Sequence, residues 1–331
     1  LAMVLAGITV AARRVRLDAL GKVQTEATAS QARTLHVFIH ENTKSLYVAL
    51  QGNDVTTCWL HGAKKLDEAT LKRLDEAWAT MRADDPRVLA MMDHPIGRRL
   101  RAYQVLDEVT KELIVTDKYG QLVAASQKTE DYYQGDEAWW QGAYADGEGA
   151  IFIPQIARDP SAGVWSLSIC FPIFHDSEIC GVAKAVMDVS QWFYGANDDV
   201  GMIQAGGVLV DETGEAVYPV NVVPENRLAD WDGAITTFTD PGWRVTSEGM
   251  FEGYAPVLLR SHIGTLPVVA PRWMLVLRTP EGVVMAEVNR MTWLTVVAGL
   301  GMIVLIFLTG LWAVDRSIGR RIRWLESAAM K

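Results

Sequence analysis

The sequence predicts an α+β fold: a long N-terminal helix, two tandem modules that each combine an antiparallel sheet with helices, and a C-terminal transmembrane helix. Three observations predict it: a helical pattern without proline near the N-terminus, a strand–turn–strand pattern that occurs twice, and an uncharged run near the C-terminus. The predicted segments are the end of a first transmembrane helix (1–16), a helical spine (17–84), a membrane-distal module (85–195), a membrane-proximal module (196–290), a transmembrane helix (291–314) and a juxtamembrane linker (315–331).

The composition fits a folded protein with at least one large core. The chain has 331 residues, half of them hydrophobic, which suggests two domains or one large one. Its net charge is −9, and no long Lys/Arg run stands in the middle of the sequence. Because phosphate binding needs a basic face, nucleic acid is not an expected partner. Three cysteines, Cys58, Cys170 and Cys180, do not make a disulfide framework.

Residues 1–12, LAMVLAGITVAA, form an apolar segment that ends before Arg13. Twelve helical residues reach about 18 Å, less than the roughly 30 Å of a bilayer's hydrocarbon core. We therefore expect the outer end of a first transmembrane helix. An amphipathic anchor and the end of a signal peptide are the alternatives.

Residues 17–58 have the apolar spacing of one long helix, about 60 Å in length. A helix of this length is expected to serve as a spine or as a contact in a homodimer. The apolar or small positions of the pattern are Leu20, Val23, Ala27, Leu35, Phe38, Leu46 and Ala49. His36 and His40 have the spacing of two metal ligands on a helix, but Val37 stands where a zinc hydrolase has its Glu. We expect no metal and no cofactor here, and a second helix at 67–82.

A strand–turn–strand pattern follows at 112–126, where Asp117 and Gly120 have the residue preferences of a type I turn. Further strands are predicted at 150–157, 164–174 and 178–189. A two-residue turn at Asp176-Ser177 would place Cys170 opposite Ala183 and direct Cys180 to the other face of the sheet. These two cysteines are therefore not expected to pair.

The turn pattern occurs a second time in GGVLVDETGEAVYP, residues 206–219. Asp211 and Gly214 repeat the spacing of Asp117 and Gly120, and apolar strands flank both turns. A late strand of the second unit is predicted at 272–280. An internal repeat of this kind indicates two similar modules in tandem.

Residues 291–314 contain no charge, and a helix of this length extends about 36 Å, enough to cross a bilayer. Trp293 and Trp312 stand near the two expected interfaces with lipid, as in an aromatic belt. Arginines are concentrated after this span, which predicts a cytoplasmic C-terminus and places residues 17–290 outside the cytoplasm. A buried helix of a soluble protein is the alternative reading.

Taken together, residues 17–290 resemble the double Cache (dCache) family of bacterial extracytoplasmic sensors, which have a long N-terminal helix and two stacked PAS-like modules. The segment VTDKYGQLVAASQKTEDYYQGDEAWWQGAY is similar to the membrane-distal module of that family. The tail DRSIGRRIRWLESAAMK is similar to the start of a HAMP linker, with Arg321 at the family's usual proline. The resemblance implies a receptor in the bacterial inner membrane, of histidine kinase or chemoreceptor type.

The amino-acid-binding members of that family have a pocket motif of Tyr, Arg, Trp and a second aromatic residue, followed by a distant Asp. By this resemblance Tyr132, Trp139 and Trp140 correspond to the aromatic positions and Asp188 to the acid that holds a ligand ammonium. Glu137 stands at the Arg position, and an acid cannot grip a carboxylate in a two-pronged hydrogen bond. The acids and rings together favour a ligand with a positive group, such as an amine.

Two further residues complete the predicted pocket. Tyr144 follows Trp140 by four and lies on the same side of a helix, and Arg158 could line the far side and grip an acid. Purely structural readings stay open: Asp136 as a helix N-cap, and Glu137 as a charge suited to the helix dipole. Trp139 and Trp140 could also be core residues, and Asp188 could cap the helix after it.

The leading interpretation is an extracytoplasmic sensor that binds a small molecule, amine or amino-acid-like, and transmits a conformational change across the lipid membrane. The alternative is a membrane-tethered ectodomain that binds a partner or has a structural role. An extracytoplasmic hydrolase is a third reading. The sequence contains no G-x-S-x-G elbow and no H-E-x-x-H motif, so the chain itself is not expected to be an enzyme.

Overall fold

A computed structural model describes most of the chain. The described residues are 2–51, 60, 62–159, 163–190, 206–220 and 240–329. They form two compact units, one of Leu1–Gly21, Val245–Phe251 and Thr279–Lys331, and one of Lys22–Arg244 and Glu252–Arg278. The end of the predicted spine, with Cys58, lies outside the described residues.

Helix α1, Ala2–Gln51, is continuous, so it begins earlier than the predicted spine. Its buried stripe includes the predicted positions Leu35 and Leu46, whereas nearer the N-terminus Gln24 is buried and the predicted Val23 is exposed. The stripe includes Thr28 and Thr43, whose hydroxyls donate to carbonyls one turn earlier and are thereby satisfied. The rings of His36 and His40 stack with centroids 6.0 Å apart.

Three short helices follow: α2 (Glu68–Thr80), α3 (Pro86–Met92) and α4 (Pro95–Leu106). Asp67, Asp85 and His94 cap their N-termini with side-chain acceptors, which satisfy backbone N–H groups of the first turn. Proline begins both α3 and α4, where its missing N–H has no intrahelical partner to lose. Of these helices only α2 was predicted.

The first sheet has eight strands. Six come from the first half of the chain: β1 (Thr110–Asp117), β2 (Leu122–Ala125), β3 (Ile151–Phe152), β4 (Ala157–Asp159), β5 (Val164–His175) and β6 (Glu178–Asp188). The hairpin of β11 (His262–Ile263) and β12 (Leu266–Val269) completes it, since β12 pairs in parallel with β3. The order is β11-β12-β3-β5-β6-β1-β2, with β4 paired to β5.

The two faces of this sheet pack against different groups of residues. Leu113, Val115 and Ala185 face the large core that includes Leu35 and Ile39 of α1. Ile114, Cys170 and Val182 belong to a second cluster with Trp78 of α2 and two tryptophans at 139 and 140. Strand alternation therefore divides the sheet into a face toward the spine and a face toward the predicted pocket.

The second sheet has five strands: β7 (Gly206–Val210), β8 (Ala216–Val220), β9 (Gly242–Val245), β10 (Met250–Val257) and β13 (Trp273–Pro280), in the order β8-β7-β13-β10-β9. Glu252 is fully buried in it and accepts from Arg244 Nε at 2.7 Å and from Arg278 Nε at 2.8 Å. The two arginines compensate a carboxylate that would otherwise be costly to bury. The boundaries of the two modules stay a prediction.

The repeated turn is confirmed. In the first copy the amide of Gly120 donates to the Asp117 carbonyl at 3.1 Å, and in the second the amide of Gly214 donates to the Asp211 carbonyl at 3.0 Å. In both copies one carboxylate oxygen of the Asp accepts from the amides two and four residues later. Both glycines have positive φ, 81° and 85°.

The β5–β6 hairpin has the predicted two-residue turn, with φ of 49° at Asp176 and 68° at Ser177. Its register differs from the prediction, because a bulge next to Ile173 shifts the pairing by one residue. Cys170 therefore lies opposite Lys184 and not opposite Ala183. Cys170 and Cys180 are free and lie on opposite faces of the sheet, as predicted.

Helix α6, Glu281–Ala329, begins directly after β13. Within it Val296–Val314 has a mean hydropathy of 2.3, and none of that stretch is buried. The described residues thus contain one helix long and apolar enough to cross a membrane, inside the predicted span. The Arg316 guanidinium lies 5.0 Å from the centre of the Trp312 ring. The membrane topology and the HAMP-like nature of 315–331 stay predictions.

Candidate functional site

A short helix, α5 (Ala138–Tyr144), covers one face of the first sheet. Its N-cap is Glu137, whose side chain makes no cap hydrogen bond, so the expectation that Asp136 caps this helix is wrong. Gly142 lets the helix approach the sheet closely, since a Cβ there would meet the Phe152 ring at 2.5 Å. The helix is therefore held against the sheet by packing.

The two tryptophans of α5 are both buried, and both belong to the second core cluster. The indole N–H of Trp140 donates to Thr116 Oγ1 at 2.8 Å, and the Trp140 and Tyr144 rings stack with centroids 4.7 Å apart. The predicted contact between Trp140 and Tyr144 is therefore present. These contacts fix the position of the Trp140 ring.

Tyr132 lies on a loop that α2 holds in place. One oxygen of the Asp75 carboxylate accepts from the amides of Tyr132 and Tyr133, both at 2.9 Å. The Tyr132 ring meets Trp78 edge-on, with centroids 6.1 Å apart, and the Trp78 indole N–H donates to the Thr129 carbonyl at 3.0 Å. Burial, and to a lesser extent Asp117, raises the pKa of Tyr132, so its hydroxyl is neutral at physiological pH.

Below these aromatic residues the sheet presents a polar surface, which we call the floor: Glu112, Ser166, Ser168, Lys184 and Asp188. All five lie on the face that carries Ile114 and Cys170, because strand residues two apart share a face. In the pairing register Glu112 and Ser168 flank Val186, and Ser166 lies opposite Asp188. All except Lys184 are buried.

Lys184 connects the floor to the aromatic wall. Its ammonium lies 5.2 Å from the centre of the Trp139 ring, within the range of a cation–π contact. It also faces Glu137 at the start of α5. Burial and the neighbouring Asp136 raise the pKa of Glu137, and Lys184 opposes that rise.

Glu112 is the most unusual group on the floor. It is only 3% exposed, and burial raises the pKa of its carboxyl to about 7, against the opposing effect of Lys184. Gln127, like Lys184, acts to lower the pKa of this carboxyl. The Oε1 atom of Glu112 is buried and has no hydrogen-bond partner among the described residues.

Asp188 lies at the end of β6, and its carboxylate has partners of its own. Oδ1 accepts from the Ser190 amide at 2.9 Å and from the Ser190 hydroxyl at 2.6 Å. Oδ2 lies 4.0 Å from the Lys111 ammonium. These bonds hold Ser190, directly after the strand, and the helix that Asp188 was predicted to cap lies almost entirely outside the described residues.

Arg158 is not on this face. It is an exposed residue of β4 and pairs with Trp165, which packs against the core on the side of the spine. Alternation along the strand instead directs Asp159 toward the floor. The expectation that Arg158 lines the pocket is thus not met by the strand geometry, because the prediction treated the segment as a loop.

The structure therefore brings Tyr132, Trp139, Trp140 and Tyr144 together over one sheet face and places Glu137 at its rim. Asp188 lies at the far end of the same face, about 13 Å from Lys184 along the strand. Sequence reasoning missed Glu112 and Lys184. The signal was a charged residue at an alternating position in each of two otherwise apolar strands.

A separate cleft of about 250 Å³ lies between β10, β12 and β13. Arg260, Ser261 and Arg272 are among its lining residues, and none of the predicted pocket residues is.

No family model matches the sequence, and no curated protein matches it. Among solved structures, a domain of a sensory box/GGDEF family protein from Vibrio parahaemolyticus is 13% identical with a TM-score of 0.51, and the match covers 80% of this chain and 98% of that one. The ligand-binding domain of the Pseudomonas aeruginosa amino acid chemoreceptor PctC, in complex with GABA, is 15% identical with a TM-score of 0.44, over 78% and 99% of the two chains.

The ligand-binding domain of the Pseudomonas fluorescens chemoreceptor CtaA, in complex with L-leucine, is 12% identical with a TM-score of 0.46, over 84% and 98%. At these identities the likeness concerns the fold, and it rests here on the Vibrio domain, whose TM-score is 0.51. The long N-terminal helix, the two antiparallel sheets and the apolar C-terminal helix agree with it. The chain has the double Cache fold, as its sequence resemblance predicted.

Proposed function

We propose that residues 17–290 form the extracytoplasmic sensor of a bacterial membrane receptor, and that a small molecule with a positive group binds on the floor of the first sheet. One observation carries the proposal: buried polar side chains lie on the same sheet face as a cluster of aromatic rings. Ligand sites combine apolar walls with a few placed polar groups in this way.

The charges of the site support an amine or an amino-acid-like ligand. Aromatic faces and carboxylates both attract a cation, and Glu112 and Asp188 provide two carboxylates on one face. Lys184 is the basic side chain of the floor and would receive a ligand carboxylate. The chain would act by binding this ligand and not by catalysis.

A conformational change caused by the ligand would reach the membrane through β13, which continues directly into α6 without a loop. We propose that α6 spans the bacterial inner membrane with its C-terminal end in the cytoplasm, where a HAMP-like linker would follow. A ligand shifts such a receptor only by the difference in its affinity for two conformations. Signalling by the ligand therefore requires that the site have a different shape in the two conformations.

A second copy of the chain is part of the proposal. Val23, Val37 and Val48 are exposed on α1 and lie on one side of the helix. An exposed apolar stripe on a long helix suits a helix–helix contact. This supports a homodimer along the spine.

The test of ligand binding uses the full chain in lipid nanodiscs and measures thermal unfolding with GABA, L-leucine, 3-methylbutylamine and 4-methylpentanoate. A saturable rise in Tm with at least one of them is expected, because a ligand that binds only the folded state stabilises it. The site is then tested with Ser168→Leu, which would fill the floor and abolish the rise.

The control is Ser247→Leu, an exposed position in the turn between β9 and β10, which should leave the rise unchanged. Unfolding of both variants without ligand checks that they fold. If no compound of the panel stabilises the wild-type chain, the partner-binding ectodomain becomes the better account.

A further inference from the structure

Glu112 has a carboxyl oxygen that the fold leaves without a partner. The side chain is 3% exposed, and Oε1 makes no hydrogen bond within the described part of the chain. Buried polar atoms in native proteins are nearly always paired, and each exception requires an explanation. An acceptor kept free for a ligand is one.

The position of Glu112 supports that explanation. It lies opposite Val186, midway between Lys184 and Asp188 on β6, about 7 Å along the strand from each. Ser168 is on the other side of Val186. The free oxygen thus belongs to the centre of the floor, on the face covered by Trp139.

The other two predicted carboxylates, Asp188 and Glu137, differ from Glu112 in their partners or in their position. Asp188 accepts two hydrogen bonds from Ser190 and lies near the Lys111 ammonium. Glu137 is at the rim, at the first residue before α5. Glu112 is therefore the carboxyl with a buried, unused acceptor.

We propose that Glu112 anchors the positively charged group of the ligand, and that its carboxyl loses a proton to the solvent when that group binds. The inference rests on the proposed function, because it assigns one residue and one linked proton to the same site. It makes the receptor's affinity depend on extracytoplasmic pH.

The charged groups around Glu112 explain why a proton is available. Lys184 of β6 favours the ionised carboxyl, while Asp159 of β4 and Glu130 of the loop before Tyr132 disfavour it. Burial outweighs these, so the pKa is about 7 and both forms are populated near neutral pH. A ligand ammonium adds a second positive charge beside the carboxyl and shifts it to the ionised form.

The expected size of the pH effect on Kd follows from that pKa. If only the ionised carboxyl binds the ligand, Kd is about tenfold higher at pH 6 than at pH 8, and binding at pH 7 releases about half a proton. Isothermal titration calorimetry of the full chain in nanodiscs measures both. Heats in phosphate and in MOPS give the number of protons released, because the two buffers differ in ionisation enthalpy.

The probes are the ammonium compounds 3-methylbutylamine, L-leucine and GABA, with 4-methylpentanoate as a compound that has no ammonium group. Glu112→Gln should raise the Kd of the ammonium probes at least about tenfold at pH 8, since a neutral amide lacks the charge. It should also abolish the release of protons on binding. Glu108→Gln, an exposed control four residues earlier, should behave as wild type. Asp188→Asn should keep the pH dependence.

The outcomes separate two kinds of failure. If none of the four probes binds the wild-type chain at any pH, both the proposed function and this inference are overturned. If ammonium probes bind but release no proton, if Glu112→Gln binds them as tightly as wild type, or if only 4-methylpentanoate binds, the inference alone fails. The proton count uses the wild-type chain, so it does not depend on the folding of a variant.

Discussion

Glu112 links the stability of the folded chain to pH, independently of any ligand. Burial raises its pKa from 4.5 to about 7, so the folded state holds this proton more tightly than the unfolded state does. The stability that the proton contributes is fully present below about pH 4.5 and is lost as pH rises through 7. The loss is on the order of 3 kcal/mol, because each tenfold change in proton affinity corresponds to about 1.4 kcal/mol.

We therefore expect Glu112→Gln to flatten the pH dependence of stability. Relative to wild type, the variant should be progressively more stable between pH 5 and pH 8, because an amide has no charge to bury. Thermal unfolding at four pH values measures this difference, with Glu108→Gln as the control. Parallel curves for Glu112→Gln and wild type would show that the carboxyl is not held neutral by burial.

Among the site residues, those that are close together in the sequence could be predicted. Trp140 and Tyr144 are four residues apart on one helix, and helix geometry alone brings their rings together. Glu112 and Lys184 were missed because their proximity depends on the pairing of β1 with β6, which spacing in the sequence does not reveal. Arg158 was assigned to the wrong face because its segment was read as a loop.

Among the elements, the first copy of the repeated β-turn needs its glycine for two reasons, backbone conformation and space. Gly120 has a φ of 81°, and a Cβ at this position would overlap the backbone of Gly135, at the foot of the loop before α5. Gln134 bonds back to this turn, its amide donating to the Gly120 carbonyl at 2.8 Å. The turn therefore positions the start of the aromatic wall as well as the β1–β2 hairpin.

Gly120→Ala should destabilise the chain by several kcal/mol, since it adds an overlap with backbone to the roughly 1–2 kcal/mol of a left-handed alanine. Gly264→Ala is the matched control: Gly264 has a φ of 62°, and a Cβ there would meet no described atom within 4 Å. Gly264→Ala should therefore be destabilised only by the cost of a left-handed alanine. Thermal unfolding of both variants gives the comparison, and equal losses would contradict a steric role for Gly120.

Periodicity and turn residues predicted most strands of the two sheets, because those signals are local. Two features of the sheets were not predictable in this way. The bulge next to Ile173 changes the register of β5 and β6 by one residue, and nothing in the turn Asp176-Ser177 specifies it. The parallel pairing of β12 with β3 joins distant parts of the chain, Val268 opposite Ile151, and is decided by tertiary packing.

On the scale of the whole molecule, the proposed function requires a binding face and a membrane-spanning helix in one chain. The span was predictable because it needs only length and hydrophobicity, and Val296–Val314 lies within the predicted residues 291–314. Its direction across the membrane rests on the distribution of arginines and is a prediction. The exposed leucines of α6 have no counterpart cluster to cover them within the described residues, which is the condition expected of a helix in lipid.

Leu305→Arg tests that interpretation, since it places a charge at the middle of Val296–Val314. An arginine at the centre of a transmembrane helix makes insertion less favourable by about 3 kcal/mol, so the share of the chain that resists extraction from membranes at alkaline pH should fall. The control is Leu106→Arg, at the end of α4, where Leu106 is 87% exposed outside the span. Because that position already faces solvent, its substitution should leave the membrane-bound share unchanged. If both variants are extracted equally with wild type, α6 does not have its apolar residues in the bilayer, and a ligand bound on the first sheet would have no membrane helix to move.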